Sequence, residues 1–342
     1  MIDGHLFIAA DFFNAGLFQI LGRSSLWEGT IALATPLVLA AVGGCISEKS
    51  GVVNVAMEGM MLMAAFFAAF TADKVLNVWH APAWAASASG VLAAVAVGSL
   101  TALLLAWTAI RWRSNQIVVG VAINLIALGL TSYLFLTVYG QSGTPANLPG
   151  IPNSNLPVLS NIQQASIGYI FFRQNIITYA AVVIVVLGYV LLFRTKVGLR
   201  IRSVGEHPRA ADTAGLNVQF IRYTAVALSG ALSGLAGAFL ALQGLNGLFA
   251  QNMTNGRGFI ALAAMIVGKW NPFGAAAACL LFAFGQQLAF NLQGFTLGSY
   301  QLSDTQLDMI PYLLTIIAVA GLIGRSIPPA ADGLPYDPTE SA

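Results

Sequence analysis

Charge is scarce in this sequence. Only 28 of its 342 residues are charged, 15 Lys or Arg and 13 Asp or Glu, which is 8% of the chain, whereas soluble domains average about 25%. Hydrophobic residues make up 57%, and they form long continuous runs without the alternating pattern of an outer-membrane barrel. The composition therefore predicts an all-α integral membrane protein. The net charge of +2 is too small to indicate a nucleic acid polymer as a partner.

Residue types that build catalytic and metal centres are also few. The two cysteines lie in separate apolar segments and form no CxxC pair, and the three histidines are isolated in sequence. The sequence has no GxxxxGKS/T phosphate loop, no Ser/His/Asp constellation, and no series of carboxylates within its apolar runs like that of proton-coupled carriers. We therefore expect a chain that is not an enzyme, that binds no cofactor or metal itself, and that takes any energy from a partner.

Apolar segments of about 20 residues, the length that crosses a bilayer, recur along the chain. Residues 257–269 form a shorter apolar stretch, and residues 6–21 form either a first span or an interfacial helix. The sequence thus predicts a polytopic bundle of about nine or ten transmembrane helices, with an N-terminal apolar segment (1–26), a membrane domain (27–325) and a C-terminal tail (326–342). The clear candidate spans are 27–45, 55–72, 84–110, 116–139, 175–194, 222–244, 273–292 and 308–324.

The distribution of Lys and Arg predicts the orientation, because these residues concentrate in cytoplasmic loops. Six of the 15 lie between residues 194 and 222, so the loop 195–221 is expected in the cytoplasm. Alternation of the spans then places the loop 140–174, which contains four prolines, outside the cell. The same alternation places the tail after residue 325 in the cytoplasm.

One short stretch of the loop 195–221 has the pattern of a helix that docks on another protein. Pro208 suits the first position of a helix, and Gly215 suits the residue just beyond its end. Ala210, Ala211 and Ala214 are expected to form a small-residue face that fits a groove on a partner. The alternative is a solvated basic loop that only sets the topology.

A second polar segment joins the first two spans. A carboxylate at the centre of a bilayer costs roughly 2.5–3.5 kcal/mol on insertion scales, so Glu58 is expected near the membrane surface, paired, or facing a wet cavity. A structural role at the cytoplasmic face and a direct role in coupling or proton transfer are both open. The residues of this cytoplasmic-face motif are Glu48, Lys49, Asn54, Glu58 and Gly59.

Uncharged polar side chains inside the spans are the candidates for a substrate path. Amides bind sugar hydroxyls or base edges without carrying charge, although hydrogen bonds between helices explain each of them equally well. Aromatic rings such as those of Phe282 and Phe290 are able to stack on a flat ligand. The predicted path residues are Asn115, Gln116, Asn124, Gln286, Asn291 and Phe259.

An internal similarity joins two of the apolar segments. Residues 59–65 (GMMLMAA) resemble residues 258–264 (GFIALAA), and each segment follows a charged residue, Glu58 or Arg257. The predicted orientation gives the two segments opposite directions across the membrane, which is the pattern of an inverted repeat in transporters. An Ala-rich sequence also produces such echoes by chance.

Four stretches together resemble the permease subunits of bacterial ATP-binding cassette (ABC) importers, in the branch that transports ribose-type sugars, nucleosides and branched-chain amino acids. They occur in the family's order and cover most of residues 27–325, and the fourth is most similar to the nucleoside type. His207 stands where typical members have Asn. The four stretches are 34–59, 114–125, 198–215 and 256–272.

The resemblance implies an ABC importer permease fold in a bacterial inner (cytoplasmic) membrane, working by alternating access. It implies that two ATP-binding subunits, and not this chain, bind ATP and Mg²⁺, and that an identical or homologous second permease completes the path. An external binding protein or lipoprotein would deliver the substrate, docking partly on the loop 140–174. The residues implied to couple to the ATP-binding subunits are Glu206, His207, Pro208, Arg209, Ala210, Ala211, Asp212 and Gly215.

Three functions stay open on the sequence. The first is a permease subunit that imports nucleosides or related simple sugars. The second has the same architecture but imports ribose-type sugars or branched-chain amino acids. The third, from a different class, is a secondary carrier that is driven by its own ion gradient.

Overall fold

The computed structural model describes residues 21–140, 174–244, 249–293 and 326–337, with short pieces at 296–297, 300–301, 303–309, 311, 313 and 316. The described residues form eleven α-helices and one antiparallel pair of short strands. The helices are α1 (Ser24–Glu48), α2 (Met57–Asp73), α3 (Ala83–Ala106), α4 (Gln116–Tyr139), α5 (Ile176–Arg194), α6 (Lys196–Glu206), α7 (Pro208–Thr213), α8 (Val218–Phe239), α9 (Arg257–Val267), α10 (Pro272–Asn291) and α11 (Asp304–Asp308). The strands are β1 (Thr296–Leu297) and β2 (Tyr300–Gln301).

Seven helices in the described part of the chain are long and apolar enough to cross a membrane, namely α1 to α5, α8 and α10. They coincide with seven of the eight clear spans predicted from the sequence, and α9 is the shorter apolar helix expected at 257–269. These predictions are confirmed. The predicted span 308–324, the segment 6–21 and the loop 140–174 lie almost entirely outside the described residues.

Tryptophans mark both ends of α3. Trp79 and Trp84 at one end are 74% and 70% exposed, and Trp107 and Trp112 at the other are 45% and 60% exposed. The helix between Trp84 and Trp107 is about 35 Å long at 1.5 Å per residue. Tryptophan concentrates at the two membrane–water interfaces, which flank a hydrocarbon core of about 30 Å. This spacing indicates that α3 crosses the whole bilayer.

The bundle has inner helices and an outer layer. In the apolar stretches of α1, α2 and α8, 78%, 67% and 72% of the residues are buried, whereas only 28% and 22% are buried in α3 and α4. The inner helix α8 packs against α1, α2 and α3, while α10 packs on α1 and α4 packs on α2. The exposed Leu, Val and Ile side chains of the outer helices suit contact with lipid.

Small residues allow the helices to approach closely. A Cβ on Gly230 or Gly234 of α8 would collide with the backbone of α3 at Gly98 or Ala94, and a Cβ on Gly237 would collide with the backbone of α2. Helix association in lipid depends on such close packing, because lipid tails are as apolar as the helices. The sequence therefore places glycine where two helix backbones touch.

The helices α6 and α7 lie at one end of the bundle, which we call the basic end because residues 194–222 carry six of the chain's Lys and Arg. Pro208 begins α7, and Gly215 follows its end with a φ of +82°, a left-handed conformation that favours glycine. The short helix predicted between Pro208 and Gly215 is confirmed.

Candidate functional site

The chain between α1 and α2 is not helical, although it lies inside the bundle. Residues 49–56, which we call the break segment, turn at Gly51 and then run to the start of α2. Val52, Asn54 and Ala56 are fully buried. Non-helical backbone away from water needs partners for its N–H and C=O groups.

Two amides on α4 supply these partners. The side-chain oxygen of Gln116 accepts a hydrogen bond from the N–H of Val53 at 2.7 Å. Asn124 accepts from the N–H of Gly59 at 2.7 Å and donates to the C=O of Val55 at 3.0 Å. The geometry therefore shows structural hydrogen bonds for both residues, close to the alternative left open by the sequence: Gln116 bonds to the break segment, and Asn124 bonds to this segment and to the start of α2. Their role in a substrate path stays a prediction.

The side-chain amides of Asn115 and Asn54 also form hydrogen bonds within the protein. Asn115 is exposed and caps α4, since its side-chain oxygen accepts from the N–H groups of Ile117 and Val118 at 3.0 and 3.2 Å. Asn54 donates to the hydroxyl of Ser229 at 2.9 Å, which ties the break segment to α8. Neither residue lines the cavities described below.

Glu58 caps a helix other than its own. The residue is 7% exposed, and its carboxylate accepts hydrogen bonds from the N–H groups of Gly256 at 2.8 Å and Gly258 at 2.6 Å. These groups begin α9, where N–H groups lack partners within the helix and the helix dipole favours an anion. The Arg257 side chain instead donates to the C=O of Met253 at 2.9 Å. Glu58 is thus paired with backbone.

The motif predicted at the cytoplasmic face lies at two levels of the bundle. Glu48, at the end of α1, accepts a 2.6 Å hydrogen bond from the indole of Trp270, just beyond the end of α9, whereas Glu58 contacts the start of α9. The 11 residues of α9 separate these levels by about 16 Å. Glu48 and Lys49 lie at the basic end, but Glu58 and Gly59 lie deeper because the break segment runs back into the bundle.

The two similar segments found in the sequence begin beside each other. A Cβ on Gly258, the first residue of one segment, would collide with the backbone of Glu58, which precedes the other. The starts of α2 and α9 are therefore in direct contact. That an inverted repeat relates them stays a prediction.

A cavity of about 570 Å³ opens between α9 and α10. The rings of Phe259, Phe282 and Phe290 line it, together with the amide of Gln286 and the guanidinium of Arg257. Apolar walls with a few polar groups and a volume in this range are typical of small-molecule sites. The structure thus brings together two predicted path residues, Phe259 and Gln286.

The third predicted residue of this region, Asn291, does not line the cavity, because its side chain donates to the C=O of Gln287 one turn earlier at 2.8 Å. The sequence singled out Arg257 only as the flank of the internal similarity and missed it as a cavity wall. Arg257 also borders a second cavity of about 250 Å³, which Pro36 of α1 and Gln243 help to line. The position of Arg257, two residues before Phe259 at the start of a helix, was the signal in the sequence that could have indicated this role.

All eight predicted coupling residues lie in α7 or next to it at the basic end. Most of them are exposed, but Ala211 is 4% exposed and packs with Val204 and Val218. The predicted small-residue face is therefore wrong at Ala211, because α7 uses this residue to attach itself to α6 and α8. Ala210 and Ala214 are exposed as expected.

The C-terminal segment 326–337 packs on the same end, which no pattern in the sequence indicates. The N–H of Ala331 donates to the C=O of Gly205 at 2.9 Å. The hydroxyl of Tyr336 donates to the carboxylate of Asp212 at 2.7 Å. Burial and this hydrogen bond raise the pKa of Tyr336 to about 12. The segment is therefore attached directly to α6 and α7.

Further contacts extend this attachment across the basic end. Arg113 forms an ion pair with Asp337, and the guanidinium of Arg222 donates to the C=O of Leu334 at 3.2 Å. A groove of about 510 Å³ lies between α7 and the segment, with His207 among its lining residues.

The described residues contain no cluster of side chains suited to holding a metal ion. No three His, Cys, Asp or Glu side chains of that part of the chain come together in a way that could hold a metal ion. Cys45 and Cys279 are buried and carry free thiols.

Comparison with known proteins decides which family has this architecture. The model of the branched-chain amino acid transport system / permease component family matches residues 26–320. This chain belongs to that family. The matched range of the permease includes the break segment, the cavity and α7, whereas the segment 326–337 lies beyond it.

Relatives of the permease match it almost end to end. It is 40% identical over 327 residues to the guanosine ABC transporter permease protein NupQ of Bacillus subtilis, covering 94% of this chain and 98% of the relative. It is also 40% identical over 306 residues to the nucleoside ABC transporter permease protein NupC of Lactococcus lactis, covering 89% and 93%. A putative glucose ABC transporter permease protein, TsgC13 of Haloferax volcanii, is 32% identical over 276 residues, covering 80% and 79%. The resemblance to ABC importer permeases is confirmed.

Proposed function

We propose that this permease forms the membrane path of an ATP-driven importer of nucleosides. The observation that carries the proposal is its 40% identity, over 94% of its length, to a guanosine permease. A nucleoside permease of a second organism shares the same identity. Because these matches run almost end to end, they include both the cavity and the helix α7.

The cavity between α9 and α10 fits the chemistry of a nucleoside. The rings of Phe259, Phe282 and Phe290 offer faces for a base, and base–aromatic stacking contributes about 1–3 kcal/mol per base in nucleic-acid-binding proteins. The amide of Gln286 is able to donate to and accept from a base edge or a ribose hydroxyl. The cavity therefore offers stacking and neutral hydrogen bonding together.

In this proposal the basic end lies in the cytoplasm, because Lys and Arg concentrate on that side of a bacterial inner membrane. The segment 326–337, which is attached to α6 and α7, then lies on the same side. The exposed residues of α7, including Arg209 and Ala210, face one of the two ATP-binding subunits, which bind ATP and Mg²⁺. An external binding protein delivers the nucleoside to the opposite end.

A second, homologous permease completes the path. Helix α9 also has an exposed apolar side chain that does not line the cavity, Ile266 at 40%, and this side chain suits contact with another membrane helix. Closure of the ATP-binding subunits displaces α7 and opens the path alternately to the two sides of the membrane.

Ribose-type sugars and branched-chain amino acids are the alternative substrates within this architecture. The glucose-related relative favours a sugar, but a sugar has no ring that stacks as a base does, so three phenylalanines contribute less to its binding. An ion-coupled carrier would transport with this chain alone.

The test is uptake into proteoliposomes that contain the permease, its partner permease and the ATP-binding subunits, with the binding protein supplied outside. We expect ATP-dependent accumulation of radiolabelled guanosine, competed by other nucleosides but not by ribose or leucine. Accumulation of ribose or leucine instead of guanosine would replace the proposed substrate. Accumulation by this chain alone under an ion gradient would overturn the ABC assignment.

A matched pair of variants tests the cavity. Phe259→Leu keeps the apolar side chain but removes the ring, so we expect the KM for guanosine to rise about tenfold. Phe273→Leu is the control, because Phe273 is 47% exposed but lies against Tyr189, with ring centroids 4.9 Å apart, on another face of α10. Equal KM values in the two variants would refute stacking by Phe259.

A further inference from the structure

The start of α9 has no cap of its own. Its N-cap residue is Gly256, which has no side chain to accept a hydrogen bond. The N–H groups of Arg257 and Phe259 find nearby backbone acceptors, but those of Gly256 and Gly258 need an acceptor from elsewhere. Glu58 of α2 provides both, one oxygen accepting at 2.8 Å and the other at 2.6 Å. The side chain of Glu58 thus acts as the N-cap of α9, a role that a Ser or Asp next to the helix usually has.

The helix start that Glu58 holds is also a wall of the cavity. Arg257 stands between the two bonded residues, Gly256 and Gly258, and Phe259 follows directly. Both Arg257 and Phe259 line the cavity. Any movement of Glu58 relative to α10 therefore moves these two side chains, because short hydrogen bonds to the backbone carry the start of α9 along.

Glu58 is also joined to the basic end, through the break segment. The backbone of Lys49 packs against Gly205, near the end of α6 and just before α7. Arg222 of α8 donates to the C=O of Ser50 at 3.2 Å. From there the chain runs without interruption to Glu58. One stretch of chain therefore leads from the neighbourhood of α7 to the cavity wall.

We infer that Glu58 is a positioning residue for transport, which transmits displacement of the basic end to Arg257 and Phe259 by holding the start of α9 to the start of α2. The inference rests on the proposed function, in which ATP-binding subunits act on α7. Because energetic coupling is established by perturbing the link itself, Glu58 is the residue to change.

The first experiment uses Glu58→Gln in the reconstituted complex. Gln keeps the size of the side chain, but its NH₂ group cannot accept a hydrogen bond, so one N–H of α9 loses its acceptor. We expect the complex to assemble and the ATP hydrolysed per guanosine imported to rise about tenfold, the scale of one charge-assisted hydrogen bond. A wild-type ratio would overturn the inference.

The matched control is Asp73→Asn. Asp73 is a buried carboxylate of the same helix, and it also accepts two hydrogen bonds, from Asn77 at 2.7 Å and Tyr139 at 3.2 Å. It does not line the cavity. We expect Asp73→Asn to keep the wild-type ratio of ATP to guanosine, and a rise equal to that of Glu58→Gln would show a general effect of removing a buried charge, which overturns the inference.

A second measurement does not depend on the substrate. Phe259→Cys introduces an exposed thiol into a chain whose own cysteines are buried. We expect the maleimide labelling rate at this position to change when ATP binds to the complex, and the change to disappear in Phe259→Cys with Glu58→Gln. If the labelling rate of Phe259→Cys does not change when ATP binds and Glu58 is intact, the inference is refuted. If labelling responds to ATP but the wild-type complex imports no nucleoside, the proposed substrate fails and the role of Glu58 stands.

Discussion

Replacing Asn124 by Ala should destabilise the permease without changing its affinity for substrate. The side chain accepts from the N–H of Gly59 and donates to the C=O of Val55, and both groups lose their partner in the variant. A buried backbone group without a partner costs about 1–3 kcal/mol, which gives about 2–6 kcal/mol for two. Interhelical hydrogen bonds in a membrane protein average only about 0.6 kcal/mol, so we expect the lower end of this range.

Asn115→Ala is the matched control, because it removes the same amide from an exposed position of the same helix. Its cost is that of an N-cap, about 1 kcal/mol. Thermal unfolding of the purified permease in detergent measures the stability of both variants, and uptake into proteoliposomes measures the KM. We expect Asn124→Ala to melt at a lower temperature than Asn115→Ala, and both to keep the wild-type KM.

The two explanations for Asn124 predict opposite results. If the side chain contacts substrate, as the sequence suggested, Asn124→Ala raises the KM and leaves the melting temperature close to that of Asn115→Ala. If it holds the break segment, the melting temperature falls and the KM does not change. The first outcome would refute the structural role derived from the two hydrogen bonds.

Two further predictions concern the basic end. Ala210→Arg should abolish binding of the ATP-binding subunit at an unchanged melting temperature, whereas Ala211→Arg overfills a buried site and should cost about 1–3 kcal/mol of stability; equal melting temperatures would contradict the packing of α7. Burial raises the pKa of Asp332 above its ordinary value, although Arg222 and Lys49 lower it. A carboxyl group whose pKa is raised by folding destabilises the folded state as the pH rises towards that pKa. Asp332→Asn, which stays neutral, should therefore raise the melting temperature more at pH 8 than at pH 5, and an equal rise at both would contradict it.

The spans and the helix α7 could be predicted from the sequence because their signals are local. Apolar length alone marks α1 to α5, α8 and α10, and Pro208 and Gly215 bound α7 by their own backbone preferences. The positions of the glycines also predicted close helix packing, because residues without a side chain, such as Gly230 and Gly234, let helix backbones approach each other in lipid. None of these inferences needed to know which segments are neighbours in space.

The roles of single polar residues depend on such neighbours and could not be predicted. Gln116, Gly120 and Asn124 recur every four residues, which places them on one face of α4, and Gly120 lies against the break segment. The spacing was visible, but the sequence did not show that this face meets residues 53–59. For the same reason Ala211 was assigned to an exposed face: the cluster that buries it is formed with Val204 and Val218 from the two flanking helices.

The start of α9 also bears on the choice of substrate. A helix start inside a membrane protein is a natural site for a carboxylate, and discontinuous helices of transporters point their starts at anionic substrate groups. Here the start of α9 already holds the carboxylate of Glu58, and the side chain of Arg257 already donates to the C=O groups of Met253 and Thr254. A branched-chain amino acid would bring a carboxylate to a helix start whose N–H groups at Gly256 and Gly258 are already bonded to Glu58. Only one guanidinium nitrogen of Arg257 makes the bonds to Met253 and Thr254, so the cation itself remains in the cavity wall. A nucleoside carries no charge and needs only the rings and the amide that the cavity presents, so the bonding of Glu58 to the start of α9 favours a neutral substrate over one that needs this helix start for its carboxylate.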